Sequence, residues 1–208
     1  MSPTEVRLVL TREVRKLGFV ARNGSMMLEL SPSNKVFGWV GFNTALVRHS
    51  EQIELNMVIG VRNEVVEEVL ADFGSAAQIA KGQPTIAGHI GYLTRSKSYR
   101  PTMIQRNGEI DVGEIIDKLR SIGIPFMERN VSLHVLSRNL RQPHFYRFAY
   151  SEHRVAAILY LLGNMRGLET LARDVKQRWK DCPQPDLVDI LDLIGSLKKG
   201  RSKPLSAS

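Results

Sequence analysis

Gln52–Arg62 reads QIELNMVIGVR, with Ile53, Leu55, Met57, Ile59 and Val61 on every second position and mostly polar residues between them. A strand turns successive side chains to opposite faces, so this period predicts a strand with one buried face. The stretches before it extend the pattern. KVFGWVGFNTALV (Lys35–Val47) is a second long strand. FVARNGSMMLEL (Phe19–Leu30) is two short extended runs around Asn23–Gly24, a dipeptide that favours the positive φ angles of a tight hairpin. SPSN (Ser31–Asn34) supplies another turn. The reading that results is an antiparallel meander.

Helices bracket it. SPTE opens the chain's first helix with Ser2 as N-cap, Pro3 at the first helical position and Glu5 completing a capping box. Val6, Leu10, Val14 and Leu17 follow at helical spacing, and Gly18 is the left-handed stop. Asn63 is placed to cap EVVEEVLADF. Residues 1–73 therefore read helix, four antiparallel strands, helix. Gly38, Gly41 and Gly60 inside the strands mark bulges or close packing against a helix.

GSAAQIAKGQP, residues 74–84, is small and weakly patterned and is the candidate boundary. TIAGHIGYL and RPTMIQ read as two more strands. DVGEIIDKLRSIG is a helix with Val112, Ile115, Ile116, Leu119 and Ile122 on one side; Gly123 is expected to close it and Pro125 to prevent continuation. From residue 129 the chain reads as helices. AAILYLLG is apolar on nearly every side and should be the most buried of them. Leu159 and Leu162 are expected to be fully buried, linking these helices to the strand layer, at a cost of about 2–5 kcal/mol if either is cut to Ala. The expected fold class is α+β, an antiparallel sheet meander covered by helices with a C-terminal helical bundle packed on it. Residues 1–197 are read as a single domain (subregions 1–73, 85–128 and 129–197), and 198–208 as a disordered basic tail.

With 208 residues, 43% hydrophobic and 24% charged, the composition is that of an ordinary globular protein. No apolar run approaches the roughly 18 residues of a membrane span. MSPTEVRLVLTREVRK carries acids and no small-residue cleavage site, so it does not read as a signal peptide. The lone Cys182 excludes an internal disulfide and a multi-cysteine zinc site, and fits a cytoplasmic location. The net charge of +8 is uneven: residues 1–75 hold 8 Lys/Arg against 9 Asp/Glu, whereas 129–154 hold 5 arginines against Glu152 alone. An acidic partner follows as an expectation, either a protein face or nucleic acid.

Local signatures of chemistry are missing. His49, His89, His134, His144 and His153 form no HxH or HExxH pattern, so no metal site is expected. There is no GxSxG elbow and no Gly-rich phosphate loop, so no catalytic residue and no cofactor is expected. Asp186, Asp189 and Asp192 lie opposite Leu187, Val188, Ile190, Leu191 and Ile194 on one helix and read as its solvated face.

The stretch NLRQPHFYRFAYSEHR (Asn139–Arg154) interleaves Phe145, Tyr146, Phe148 and Tyr150 with basic residues. It reads as a connector packed through one set of alternating side chains, its other side a recognition surface. The residues assigned to binding are Arg138, Arg141, His144, Tyr146, Arg147, Tyr150 and Arg154. Arginine and tyrosine dominate protein hot spots, so the leading reading is a non-enzymatic protein-binding module that neutralises or regulates a partner such as a toxin or defence effector. The alternative is nucleic-acid binding through Arg138, Arg141, Arg147 and Arg154 with the KKGRSK tail. An enzyme without a local motif ranks third.

The order VRKLGF, VFGWVGF…IELNMVIGVR, GHIGYLTR, EIIDKLRSIGIPFMER…SLHVL, AAILYLLGNMRGLETLAR resembles the bacterial family called domain of unknown function 4304, over roughly residues 5–180. The resemblance implies a small cytoplasmic α+β protein and carries over no catalytic residues. The later basic excess and the tail after Leu197 depart from it.

Overall fold

The long strand expected at Gln52–Arg62 is β4 (Gln52–Asn63), and it organises a six-stranded antiparallel sheet. In the computed structural model, which describes residues 2–22, 25–73, 82–94, 101–106, 111–142, 145, 151–181 and 185–200, the other strands are β1 (Val20–Arg22), β2 (Ser25–Ser31), β3 (Val36–Leu46), β5 (Ile86–His89) and β6 (Thr102–Gln105). The order is β1-β2-β3-β4, and the far edge of β4 is shared by β5 at Val58–Val61 and β6 at Gln52–Leu55. The meander is as the sequence implies. Arg22 pairs with Ser25, the expected Asn23–Gly24 turn lying outside the described residues, and a bulge between Glu29 and Ser31 precedes a turn that Lys35 completes at φ +50°. The fold class is α+β.

The alternating apolar residues of β4 are buried, with Ile53, Ile59 and Val61 all at 0% exposure. The single buried face holds only for the strand's first half, since every residue from Met57 to Asn63 is buried and both faces are covered there. Helix α1 (Pro3–Arg15) has the expected capping box, Ser2 Oγ accepting from the Glu5 N–H and Glu5 Oε2 accepting from the Ser2 N–H at 2.6 Å. It buries Val6, Leu10 and Val14 and lies against β3. The segment Val112–Arg129 also packs on the sheet side, but it does not end where the glycine implied. Helix α3 (Val112–Lys118) widens into a π-helical turn at Leu119–Gly123 and continues as α4 (Ile124–Arg129). Pro125 sits within the first two positions of α4, where its missing N–H costs nothing, so it continues the path instead of breaking it. Gly123 serves packing: a Cβ there would stand 2.7 Å from Leu119 Cδ1 and 3.5 Å from Ile59. Gly38 likewise admits Met127 of α4, whose Sδ would be 2.6 Å from an added Cβ. Gly41 lies under the Trp39 ring, and Gly60 approaches the Ile86 carbonyl and Pro84. These two glycines therefore serve close packing against a ring and a neighbouring strand, not against a helix. Gly82–Thr85 is pinned over this part of the sheet by Trp39 Nε1 donating to the Gly82 carbonyl (2.9 Å) and Arg62 donating to that of Gln83 (2.6 Å).

The chain divides into two compact units, passing from one to the other after Asn63 and again within the expected boundary at 74–84. The first unit holds α1, the six strands, α3 and α4. The second holds α2 (Glu64–Asp72) with α5 (Leu133–Leu140), α6 (Ser151–Leu161), α7 (Met165–Asp181) and α8 (Pro185–Gly200). Helix α2 goes with the helical unit because its buried residues, Val66 and Leu70, lie on the helix that packs with α6. Helix α6 contacts α2, α5, α7 and α8, and every residue from His153 to Leu159 is buried, as its all-round apolar character implies. Leu159 is 4% exposed, but Leu162 is only half-buried. It lies beyond the last turn of α6, where Gly163 at φ +66° stops the helix, so full burial is corrected to the helix-internal leucine alone. Asn164 then starts α7, its Oδ1 accepting from the Gly167 N–H at 2.8 Å. Helix α8 runs to Gly200, so residues 198–200 of the expected tail are helical, and the rest of that tail lies outside the described residues. Asp189 and Asp192 are exposed, as the solvated-face reading has it, but Val188, read onto the apolar side, is exposed beside them at 40% and is corrected to the solvent side. Among the described residues no helix is long and apolar enough to cross a membrane.

Candidate functional site

The helical unit contains a cleft of about 240 Å³ lined by the end of α5, the start of α6 and the middle of α7. Each element contributes by its own periodicity. Leu171, Asp174 and Arg178 stand at i, i+3 and i+7 and share one side of α7. Ser151 and Val155 share a side of α6 at i, i+4, with Glu152 beside them in the first turn, where a carboxylate is favoured. Leu140 closes α5, and Arg141 follows it, where a cation faces the helix's unsatisfied carbonyls.

Leu140, Val155 and Leu171 are the apolar part of the lining; Arg141, Arg178, Glu152, Asp174 and Ser151 are the polar part. Arg178 Nη2 meets Glu152 Oε1 at 2.7 Å with the two side chains 45% and 36% exposed. A pair that open contributes little stability, of order 0–1 kcal/mol, but it fixes where the two charges point. Arg141 and Asp174 are exposed and carry no ion pair among the described residues. The cleft thus offers one cation and one anion to a visitor, above an apolar floor. Nucleophilic catalysis needs a base within about 2.6–3.2 Å of the nucleophile. Among the described lining residues, Ser151 is the one hydroxyl and no histidine joins it.

Of the residues assigned to binding from sequence, Arg141 lines the cleft and Arg138 is exposed on α5 outside it. His144, Tyr146, Arg147 and Tyr150 lie outside the described residues. Arg154 is a correction. Its side chain is 1% exposed, and its Nε meets Glu67 Oε1 at 3.3 Å, so it joins α6 to α2 inside the helical unit and is not on the surface. Of the aromatic residues of the connector, Phe145 is described: it is 7% exposed and stacks on Phe126 of α4 with centroids 5.3 Å apart, while the alternation expected of residues 146–150 lies outside the described residues. Glu152, Asp174 and Arg178 were not singled out. Their helical spacing was readable, but which side of α7 would meet α5 and α6 was not.

Among the histidines, His49 and His134 are exposed, His89 is buried in β5 and His153 in α6. Burial holds the His89 imidazole below its ordinary pKa, opposed by the carboxylate of Glu54. Among the described residues no three His, Cys, Asp or Glu side chains come together as a metal site would require. No family model, no curated protein and no solved structure matches the chain.

Proposed function

We propose that the chain is a protein-binding module and that the cleft between α5, α6 and α7 receives a side chain of its partner. The observation that carries this is the size and lining of the cleft together. At about 240 Å³ it is smaller than the roughly 300–1,000 Å³ of sites that enclose a small molecule or cofactor. It is large enough for one long side chain whose stem rests on Leu140, Val155 and Leu171 and whose polar end meets Arg141 or Asp174. Buried anchors of that kind, ringed by polar residues, dominate protein interfaces. Within this class, a partner whose action the chain silences, such as a toxin or defence effector, is the version we favour. The burial of Arg154 removes one of the four arginines on which nucleic-acid binding through the connector would rest.

The test is a photo-crosslinking amino acid placed at Arg141 and, as a control, at exposed Glu29 on β2, with both proteins expressed in the native host. A discrete protein adduct formed from position 141 alone is the expected result. Adducts only to nucleic acid, or the same proteins from both positions, would overturn the proposal.

A further inference from the structure

Helix α7 carries a second surface, separate from the cleft. Arg166, Arg173, Lys176 and Lys180 are all exposed, and their side chains make no ion pair or hydrogen bond among the described residues. At about 100° per residue, these positions fall within roughly 80° of one another around the helix and extend over about 21 Å of its length. Asp174 and Arg178 of the cleft are turned away from that line by a quarter to a third of a turn. One acid, Glu169, lies on the line, and Lys198 of α8 meets its Oε1 at 3.2 Å. Among the described residues, the stripe is thus four cations in a row without an ion-pair partner.

We infer that this stripe binds the phosphate backbone of nucleic acid, without reading sequence. Protein hot spots sit in well-packed, desolvated pockets, whereas these four cations are all open to solvent. Among the described side chains of α7, Leu168 and Val175 are fully buried and Leu171 lines the cleft. Spaced cations alone suffice for a polyanion, because neutralising each phosphate releases condensed counterions. Over about 21 Å a duplex presents roughly a dozen phosphates, ample for four contacts. The inference does not rest on the partner proposed for the cleft.

The test is fluorescence anisotropy with a labelled DNA duplex of about 20 base pairs and the full chain, between about 50 and 200 mM salt. Four contacts predict a log–log slope of about −3.6 and a loss of affinity on the order of 100-fold over that range. The double variant R173Q/K180Q, which leaves the remaining basic residues of the chain in place, should halve the slope to about −1.8. No binding at the lowest salt, or a slope unchanged in the double variant, would overturn the inference. Poly-L-glutamate binding as tightly as the duplex would overturn it too, assigning the stripe to acidic proteins.

Discussion

Arg154 Nε lies 3.3 Å from Glu67 Oε1 with the two side chains 1% and 9% exposed, an ion pair enclosed between α6 and α2. Removing one member strands the other charge away from water, which costs about 3–5 kcal/mol, whereas replacing both with apolar residues is often close to neutral. R154M and E67L should therefore each lower the stability read from urea unfolding by several kcal/mol. The double variant should be more stable than either single one. Single variants within about 1 kcal/mol of the native chain would show that water reaches the pair.

Two glycines of the sheet should differ in what they tolerate. A Cβ at Gly38 would meet the thioether of Met127, a flexible side chain that can swing aside. At Gly60 it would meet the backbone oxygen of Ile86, with Ala87 and Pro84 at 3.0 Å, and a paired strand cannot yield that way. G38A should cost about 1–3 kcal/mol and G60A more, with urea midpoints setting the order. The reverse order would mean that β5 can shift off β4.

His89 makes stability depend on pH. Burial depresses its pKa below the ordinary 6.5, with Glu54 opposing. Below about pH 6.5 the unfolded chain then binds a proton that the folded chain resists, so unfolding is favoured as pH falls. The contribution is fully present above that value. It declines through the window down to the folded pKa, with a slope of at most about 1.4 kcal/mol per pH unit. Urea unfolding of the native chain and H89Q between about pH 5 and 8 should show a shallower acid-side decline in the variant. Identical pH profiles would remove His89 from the account.

Much of this architecture is legible in the chain. The period-two run at Ile53–Val61, the capping residues Ser2 and Glu5, and the unbroken apolar face of Ala156–Leu161 act locally, so their structural outcome follows from sequence spacing alone. The misreadings share a different cause. Pro125 looked like a stop, but a proline at the start of a helix and one after its end are the same letter, and the π turn before α4 decides between them. Arg154 looked like a surface cation because its partner, Glu67, lies 87 positions away and only the packing of α2 beside α6 brings them together. The cleft was half visible for the same reason. Arg141 stood out in its aromatic surroundings, while Glu152, Asp174 and Arg178 became its neighbours only through the packing of three helices.

The claim that the cleft holds a partner's side chain is tested most directly by affinity capture from the native host, comparing the native chain with R141E/D174R under equal salt. Both positions are exposed, so the double variant should keep the native urea midpoint, and that is measured alongside. A protein recovered by the native chain and lost, or depleted at least about tenfold, with the variant is the expected result, since losing about 1.4 kcal/mol already weakens binding tenfold. Recovery of the same proteins in the same amounts by both chains would contradict the claim.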